Sequence, residues 1–184
     1  MPWLRPGLPP HVTGLAMIGS KPAQQVLIVG AADPGLAAAV GTVTGLNGRT
    51  VVVDPASGAE QAVQKAAADA GTLVEFEQGP LAPLSAATDA FDIVVLCRTL
   101  GRPEAPPTIQ IAEAKRVIRS GGRVVVIQRG KPGGMFGGFR ANAPGALTGD
   151  AIRDLLDGAG LAAARVLADV GGVIYIEGSK RRGG

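Results

Sequence analysis

Short runs of consecutive aliphatic residues recur along the chain, with helix-like segments between them. Val26–Gly30 (VLIVG), Thr50–Asp54 (TVVVD), Ile93–Cys97 (IVVLC) and Arg123–Gln128 (RVVVIQ) are continuous, as expected of strands covered on both faces. Thr72–Phe76 reads as a shorter strand of the same kind. Small and apolar residues recur at helical spacing over Leu36–Leu46, Ala59–Ala70 and Thr108–Arg119. These segments close on Asn47-Gly48, Gly71 and Ser120-Gly121-Gly122. Asp150–Asp157 reads as a short amphipathic helix.

Strands alternating with helices through short turns specify a parallel, doubly wound α/β sheet. The last two strand-like runs, Ala163–Asp169 and Val173–Gly178, depart from that alternation. Only Val170-Gly171-Gly172 separates them, too little chain for a crossover helix, so they pair as an antiparallel hairpin. Residues 1–25 hold five prolines and read as a loose N-terminal arm with one short helical turn around Val12–Ile18. Residues 26–180 form the α/β domain, and residues 181–184 are a basic, glycine-ended tail. Residues 130–149 read as a Gly- and Pro-rich loop carrying Met135, Phe136 and Phe139.

Composition sharpens this picture by exclusion. The 184 residues include 28 Gly, 14 Pro and 30 Ala, and aromatics are only 3%. So much Gly and Pro approaches low complexity, but the compact aliphatic blocks specify one globular domain with glycine at its joints. A single cysteine, Cys97, makes no internal disulfide and no zinc site. Any serine–histidine–acid triad has only His11 to draw on, in a Pro-flanked segment. The net charge of +3 is partly terminal, from Lys180, Arg181 and Arg182, and reads as a solvated basic tail. With so few aromatic stacking partners, no nucleic-acid partner is expected. Nor is a membrane partner expected, since no apolar run reaches the roughly 18–20 residues of a span and residues 1–20 lack a continuous apolar region. A cytoplasmic soluble protein without a metal is the expectation.

Open α/β sheets bind ligands outside the carboxyl ends of their strands. Four segments fall at that edge. Gly30-Ala31-Ala32-Asp33-Pro34-Gly35 follows the first strand, and its small residues either admit a ligand or serve close helix–strand packing. Asp54, at the end of the second, either accepts both hydroxyls of a ribose or caps the next helix through the turn at Pro55. Gln78-Gly79-Pro80-Leu81 follows the third strand. Cys97-Arg98-Thr99 follows the fourth, where Arg98 and Thr99 either face a ligand or pair with Glu104 or solvent. Cys97 is either an inert core thiol or a nucleophile.

These residues resemble the class I S-adenosylmethionine-dependent methyltransferases, particularly the small-molecule type with a ubiquinone/menaquinone-biosynthesis-like domain. The resemblance runs from about Val26 to Lys180. Val26–Gly30 is similar to the first motif and Val51–Pro55 to the second. Val74–Leu84 with Phe91–Val95 is similar to the third strand, its loop and the fourth. Glu113–Arg123 and Leu155–Leu161 are its most specific stretches. The resemblance implies a Rossmann-like three-layer sandwich, whose seven-stranded, mostly parallel sheet runs 3-2-1-4-5-7-6 with an antiparallel C-terminal hairpin. It also implies a cofactor, S-adenosylmethionine, held by Gly30, Ala31, Ala32, Asp33, Asp54, Pro55, Gly79, Pro80, Cys97 and Arg98.

The motifs are altered. Ile28 stands where the family carries an acid, Ala32 and Pro34 where it carries glycines, and Pro80 where an acid often meets the adenine. Ala32 adds a methyl, and Pro34 removes a donor and fixes φ. Asp33 is a candidate replacement acid. The resemblance implies a small-molecule methyltransferase with Arg98 or Thr99 nearest the transferred methyl. The alternative is a methyltransferase-fold protein without catalysis, acting as a partner subunit or binding another ligand. The glycine loop and terminal hairpin are candidate surfaces for a homo-oligomer.

Overall fold

The computed structural model describes residues 10–130 and 147–182. Its elements run α1 (Pro10–Ile18), β1 (Gln25–Val29), α2 (Pro34–Thr44), β2 (Arg49–Asp54), α3 (Ala59–Asp69), β3 (Glu75–Gln78) and β4 (Phe91–Cys97). Then follow α4 (Pro107–Val117), β5 (Ile118–Arg129), α5 (Gly149–Gly158), β6 (Ala162–Val170) and β7 (Val173–Ser179). One seven-stranded sheet has the order β3-β2-β1-β4-β5-β7-β6. β3, β2, β1, β4 and β5 pair in parallel, and β7 is antiparallel to both β5 and β6. The expected topology, including the terminal hairpin, is present.

Alternation along each strand sends neighbouring side chains to opposite faces. Leu27, Val29, Val94, Leu96, Val124 and Val126 pack with Ile111 and Ala114 of α4 and Ile152 and Leu156 of α5. Val26, Ile28, Val52, Val95, Cys97, Ile127 and Tyr175 pack with Ile18, Leu36, Val40, Val63 and Ala67 from α1, α2 and α3. The result is three layers, with the sheet in the middle. Ile28, at the position where the family's acid falls, is 2% exposed inside the second cluster.

Local chemistry sets where the helices start. The Asp33 side chain accepts the Leu36 N–H at 3.0 Å, and Pro34 follows in the first turn of α2. The Thr148 hydroxyl does the same for α5, accepting from Ala151 at 3.2 Å.

Several expectations are corrected. The helical turn expected around Val12–Ile18 is present, but it is longer and not loose: α1 runs Pro10–Ile18 and buries Ile18 completely, and Leu15 and Met17 pack against the same cluster. Apolar residues at helical spacing outweigh the prolines there, since Pro10 opens the helix where its missing N–H costs nothing. Helix α2 stops at Thr44, with Gly45 rather than Asn47-Gly48 at its end. The third strand is Glu75–Gln78, not Thr72–Phe76. The Thr72 N–H is spent closing α3 on the Ala67 carbonyl, and β2 pairs only from Glu75 onward. Ser120-Gly121-Gly122 does not end α4. The chain passes from Val117 directly into β5, and those residues fill a register shift opposite Phe91 and Ile93.

The basic tail is not wholly solvated either. Lys180 Nζ donates to Asp89 at 2.6 Å and to the Ile118 and Lys115 carbonyls at 2.8 and 3.1 Å, whereas Arg181 and Arg182 are exposed. Most of the 130–149 loop, with Met135, Phe136 and Phe139, lies outside the described residues. None of the described helices is long and apolar enough to cross a membrane. Among the described residues no group of three or more His, Cys, Asp or Glu is placed to hold a metal.

Candidate functional site

The ends of β1, β2, β3 and β4 meet at one edge. Gly30 leaves β1 with φ +95°, its N–H bound to the Val53 carbonyl at 2.8 Å. A Cβ there would fall 2.5 Å from the Cys97 carbonyl oxygen and 2.6 Å from Thr99 Cγ2, so only glycine fits. Close packing against β4 therefore accounts for the glycine of the first motif.

Asp54, at the end of β2, is 5% exposed. Its Oδ2 accepts the Ala31 N–H at 2.8 Å and its Oδ1 the Ala56 N–H at 2.8 Å, so the carboxylate ties the β1–α2 loop to the turn at Pro55. It does not cap α3, which starts at Ala59 behind Gly58 without a side-chain cap. Gly79 joins through its N–H to the Asp54 carbonyl at 3.3 Å. Pro80 and Ala32 are exposed, and Pro55 is half-buried.

A third partner of Asp54 had no sequence signal. Arg102 Nη1, from the turn after β4, lies 3.5 Å from Asp54 Oδ2, and Nη2 holds Glu104 at 2.8 Å. Of the alternatives for Arg98 and Thr99, pairing with Glu104 is ruled out, since Glu104 pairs with Arg102. β4 and β2 are separated by β1 in the sheet, so this side chain reaches across the end of β1. No spacing rule reports a contact between loops of non-neighbouring strands.

The β4 end is tightly held. Thr99 and Gln110 are fully buried, and Gln110 Nε2 donates to the Thr99 and Ala105 carbonyls at 3.1 and 2.8 Å. Gln128 donates to the Leu100 carbonyl at 3.0 Å. Arg98 has φ +57°, uncommon for a residue with a Cβ, and its N–H bonds the Ile127 carbonyl at 2.8 Å. Arg98 Nε and Thr99 Oγ1 are buried without a hydrogen-bond partner among the described residues.

Electrostatics sort the neighbours. Burial pushes the Cys97 thiol up to about 12, against the pull of Arg98, so it remains a protonated core thiol near neutral pH. Burial likewise raises the Tyr175 phenol, keeping it a neutral donor. His11 also comes to this edge. Its Nδ1 and Asp33 Oδ1 each lie 3.4 Å from where a Gly35 Cβ would stand. Neither His11 nor Tyr175 was singled out for this site from sequence. Each arrives through an element, α1 or β7, whose docking is a tertiary fact.

A groove of about 510 Å³ lies at the opposite edge, lined by Leu46, Arg49, Leu73 and Glu75 among others. It sits at the N-terminal end of β2, away from the strand ends where open α/β sheets take ligands.

The profile of the methyltransferase domain family matches residues 29–126, more than half of the chain, and the chain belongs to that family. Solved structures share its fold. One is an S-adenosylmethionine-dependent methyltransferase from Aquifex aeolicus, 16% identical with a TM-score of 0.71, covering 92% of this chain and 88% of that one. Another is the putative methyltransferase bound to the Trm112 activator of Haloferax volcanii, 15% identical with a TM-score of 0.71, covering 95% and 90%. The [4+2]-cyclase SpnF is 15% identical with a TM-score of 0.72, covering 94% and 80%. No curated protein matches the chain significantly. Family membership and these neighbours support S-adenosylmethionine as the cofactor.

Proposed function

We propose that the protein transfers the methyl group of S-adenosylmethionine to a small-molecule acceptor, using a cofactor loop altered from the family's usual one. The observation that carries this reading is Asp54. It is a buried carboxylate at the end of β2, fixed by two backbone N–H groups beside the β1–α2 loop. A ribose diol needs such an acceptor there.

The residues fit the cofactor once one contact is exchanged. The two backbone bonds to Asp54 can persist while hydroxyls use its remaining lone pairs. Arg102, 32% exposed, is the removable partner: a partly exposed ion pair is worth about 0–1 kcal/mol. A hydrogen bond to a charged group is worth about 1.5–3 kcal/mol, so two ribose hydroxyls outweigh the pair.

Gly30, Ala31, Ala32 and Asp33 would then line the cofactor from the first loop, Pro55 would flank its ribose, Gly79 and Pro80 its base, and Cys97 and Arg98 its reacting end. The cofactor supplies a sulfonium-bound methyl. The chain's task is to align an acceptor with it and exclude water, which needs little acid–base chemistry when the acceptor is already nucleophilic. Gln110 and Gln128 hold the Thr99–Leu100 backbone against that edge.

Calorimetric titration with S-adenosylmethionine and S-adenosylhomocysteine tests the reading. Binding of both is expected, and no heat at millimolar ligand would sink it. The second reading is a methyltransferase-fold protein that binds another ligand or serves as a partner subunit. It is favoured by the Arg102–Asp54 pair and by the packing of Thr99 against Gly30. Two of the structural neighbours are described as a cyclase and as half of an activator complex.

A further inference from the structure

The parallel strands start along the edge opposite Asp54, and two surface features share that edge. The first is apolar. Leu46, shortly before β2, is 88% exposed, and Leu73, shortly before β3, is 76% exposed. Both line the groove of about 510 Å³, together with Thr50 and Val74 from its buried side. One exposed leucine is ordinary on a protein surface, but two beside one concavity mark a contact site. The Arg49–Glu75 pair, joined by hydrogen bonds of 2.8 and 2.6 Å, borders the same groove.

The second feature is cationic. Lys180 leaves β7 at this edge and is tied to the first part of β5. The Gly121 N–H donates to its carbonyl and its own N–H donates to the Gly122 carbonyl, both at 2.9 Å. The tether places the residues that follow: Arg182 lies along Gly121, where a Cβ would fall 3.0 Å from its Nε. Acids at this end are already held, Asp89 by Lys180, Asp92 by Arg119, Glu113 by Arg116, and Glu177 by Arg123 and Arg165. Lys115, bound to the Ala159 carbonyl, is offset by the exposed Asp157 close to it in α5. Arg181 and Arg182 remain, exposed and without an ion pair among the described residues. So does Lys21, in the turn whose Gln24 carbonyl accepts the Arg49 N–H beside the groove. Residues 1–9, 131–146 and 183–184, which complete the chain, contain no Asp or Glu to neutralise them.

The two features call for one partner with two chemistries. A nucleic acid would use the cations and leave both leucines in water, and this edge offers a single strand no exposed aromatic to stack on. An anionic bilayer would bring its headgroups onto the 57%-exposed Glu75 at the rim of the groove. A polypeptide satisfies both halves. We propose that this edge docks an acidic segment of another protein, with an aliphatic side chain between Leu46 and Leu73 and carboxylates on Lys21, Arg181 and Arg182. The starts of β3 and β5 are four strand spacings apart, about 19 Å, which six extended residues cover. The surface is at the far end of the sheet from Asp54, so it stands whether or not the protein binds S-adenosylmethionine.

The test is fluorescence anisotropy at low salt with a labelled peptide of two leucines, a six-residue Gly-Ser spacer and four glutamates. One control peptide has serines for the leucines, and another has glutamines for the glutamates. The complete peptide should bind about tenfold or more tighter than either control. Leu46→Ser with Leu73→Ser should reduce it to the affinity of the serine control. Arg181→Ser with Arg182→Ser should weaken it about fivefold and flatten its salt dependence. All four side chains are exposed, and unchanged thermal melts verify the fold. A complete peptide that binds no tighter than its controls, or equally well to both double variants, overturns the proposal. Duplex DNA or phosphatidylserine vesicles bound more tightly than the peptide, with no loss in the leucine variant, also overturn it and leave a general polyanion surface. A dimer in sedimentation that the leucine variant abolishes gives the groove to a second copy of the chain and overturns it as well.

Discussion

At the start of β4, Asp92 is 6% exposed, accepts the Gln25 N–H at 2.8 Å and pairs with Arg119. Gly122 lies beside it, where a Cβ would fall 2.7 Å from the Asp92 carbonyl. The other end of the sheet repeats these parts. Asp54 is 5% exposed, accepts the Ala31 and Ala56 N–H groups and pairs with Arg102. Gly30 lies beside it, pressed against the Cys97 carbonyl. In each case a buried carboxylate ties neighbouring strands together and a glycine admits a backbone. The differences lie in what surrounds them. Around Asp54 are Arg98 Nε and a Thr99 hydroxyl, both buried without a partner among the described residues, with Asp33 and His11 near by, at the strand ends where open α/β sheets take ligands. Around Asp92 the salt bridge to Arg119 and the bond to Gln25 complete the chemistry. A buried acid is thus evidence of function only through its neighbours and its end of the sheet.

The largest expected effect comes from Gly30→Ala. Overpacking costs about 1–3 kcal/mol and the left-handed backbone about 1–2 more, so a loss of about 2–5 kcal/mol is expected by chemical denaturation. Gly122→Ala meets the same crowding without the φ penalty and should cost about 1–3 kcal/mol. If the two lose equal stability, the backbone conformation at Gly30 is not the constraint described above.

The two acids come next, and they separate stability from binding. Asp92→Ala leaves the half-buried Gln25 N–H unpaired, a cost of about 1–3 kcal/mol. The pair with the 59%-exposed Arg119 adds little. S-adenosylhomocysteine affinity of the folded protein should not change. Asp54→Ala should cost about 1–2 kcal/mol, because Ala56 is exposed and its N–H finds water. It should also weaken S-adenosylhomocysteine by about tenfold or more. Equal affinities in calorimetry would place Asp54 with Asp92 as a structural acid and remove the ribose site.

The fold was largely legible because its signals are local and repeated. Continuous aliphatic runs mark buried parallel strands, and three residues with a Gly-Gly pair cannot cross a sheet, so the hairpin followed from length alone. What misled were elements decided by packing. Prolines at the front of α1 made a loose arm of what is a packed helix, although a helical turn around Val12–Ile18 was legible, and Ser120-Gly121-Gly122 looked like a helix stop when it fills a strand irregularity. At the site, Gly30, Asp33, Asp54, Gly79, Cys97 and Arg98 do gather at one edge, since strand ends are fixed by topology. Arg102, His11 and Tyr175 were not legible there. Each reaches the edge from a loop, a helix or a strand whose placement depends on the whole fold.

The smallest effect is the most discriminating. Arg102→Met removes an ion pair worth about 0–1 kcal/mol, so stability should barely move. Its consequence for binding depends on what Asp54 does. If Asp54 receives a ribose, Arg102 competes with the ligand for the same oxygen, and removing it should tighten S-adenosylhomocysteine by up to about fivefold, the equivalent of that pair. The gain should shrink as salt is added, because salt already weakens the competing pair in the wild type. If Asp54 is structural, Arg102 only braces the β4 turn against β2, and its removal should leave affinity unchanged or loosen it. Arg119→Met, at the matching position beside Asp92, supplies the control: it breaks the equivalent pair at the end of the sheet where no ligand is expected, and affinity there should not respond.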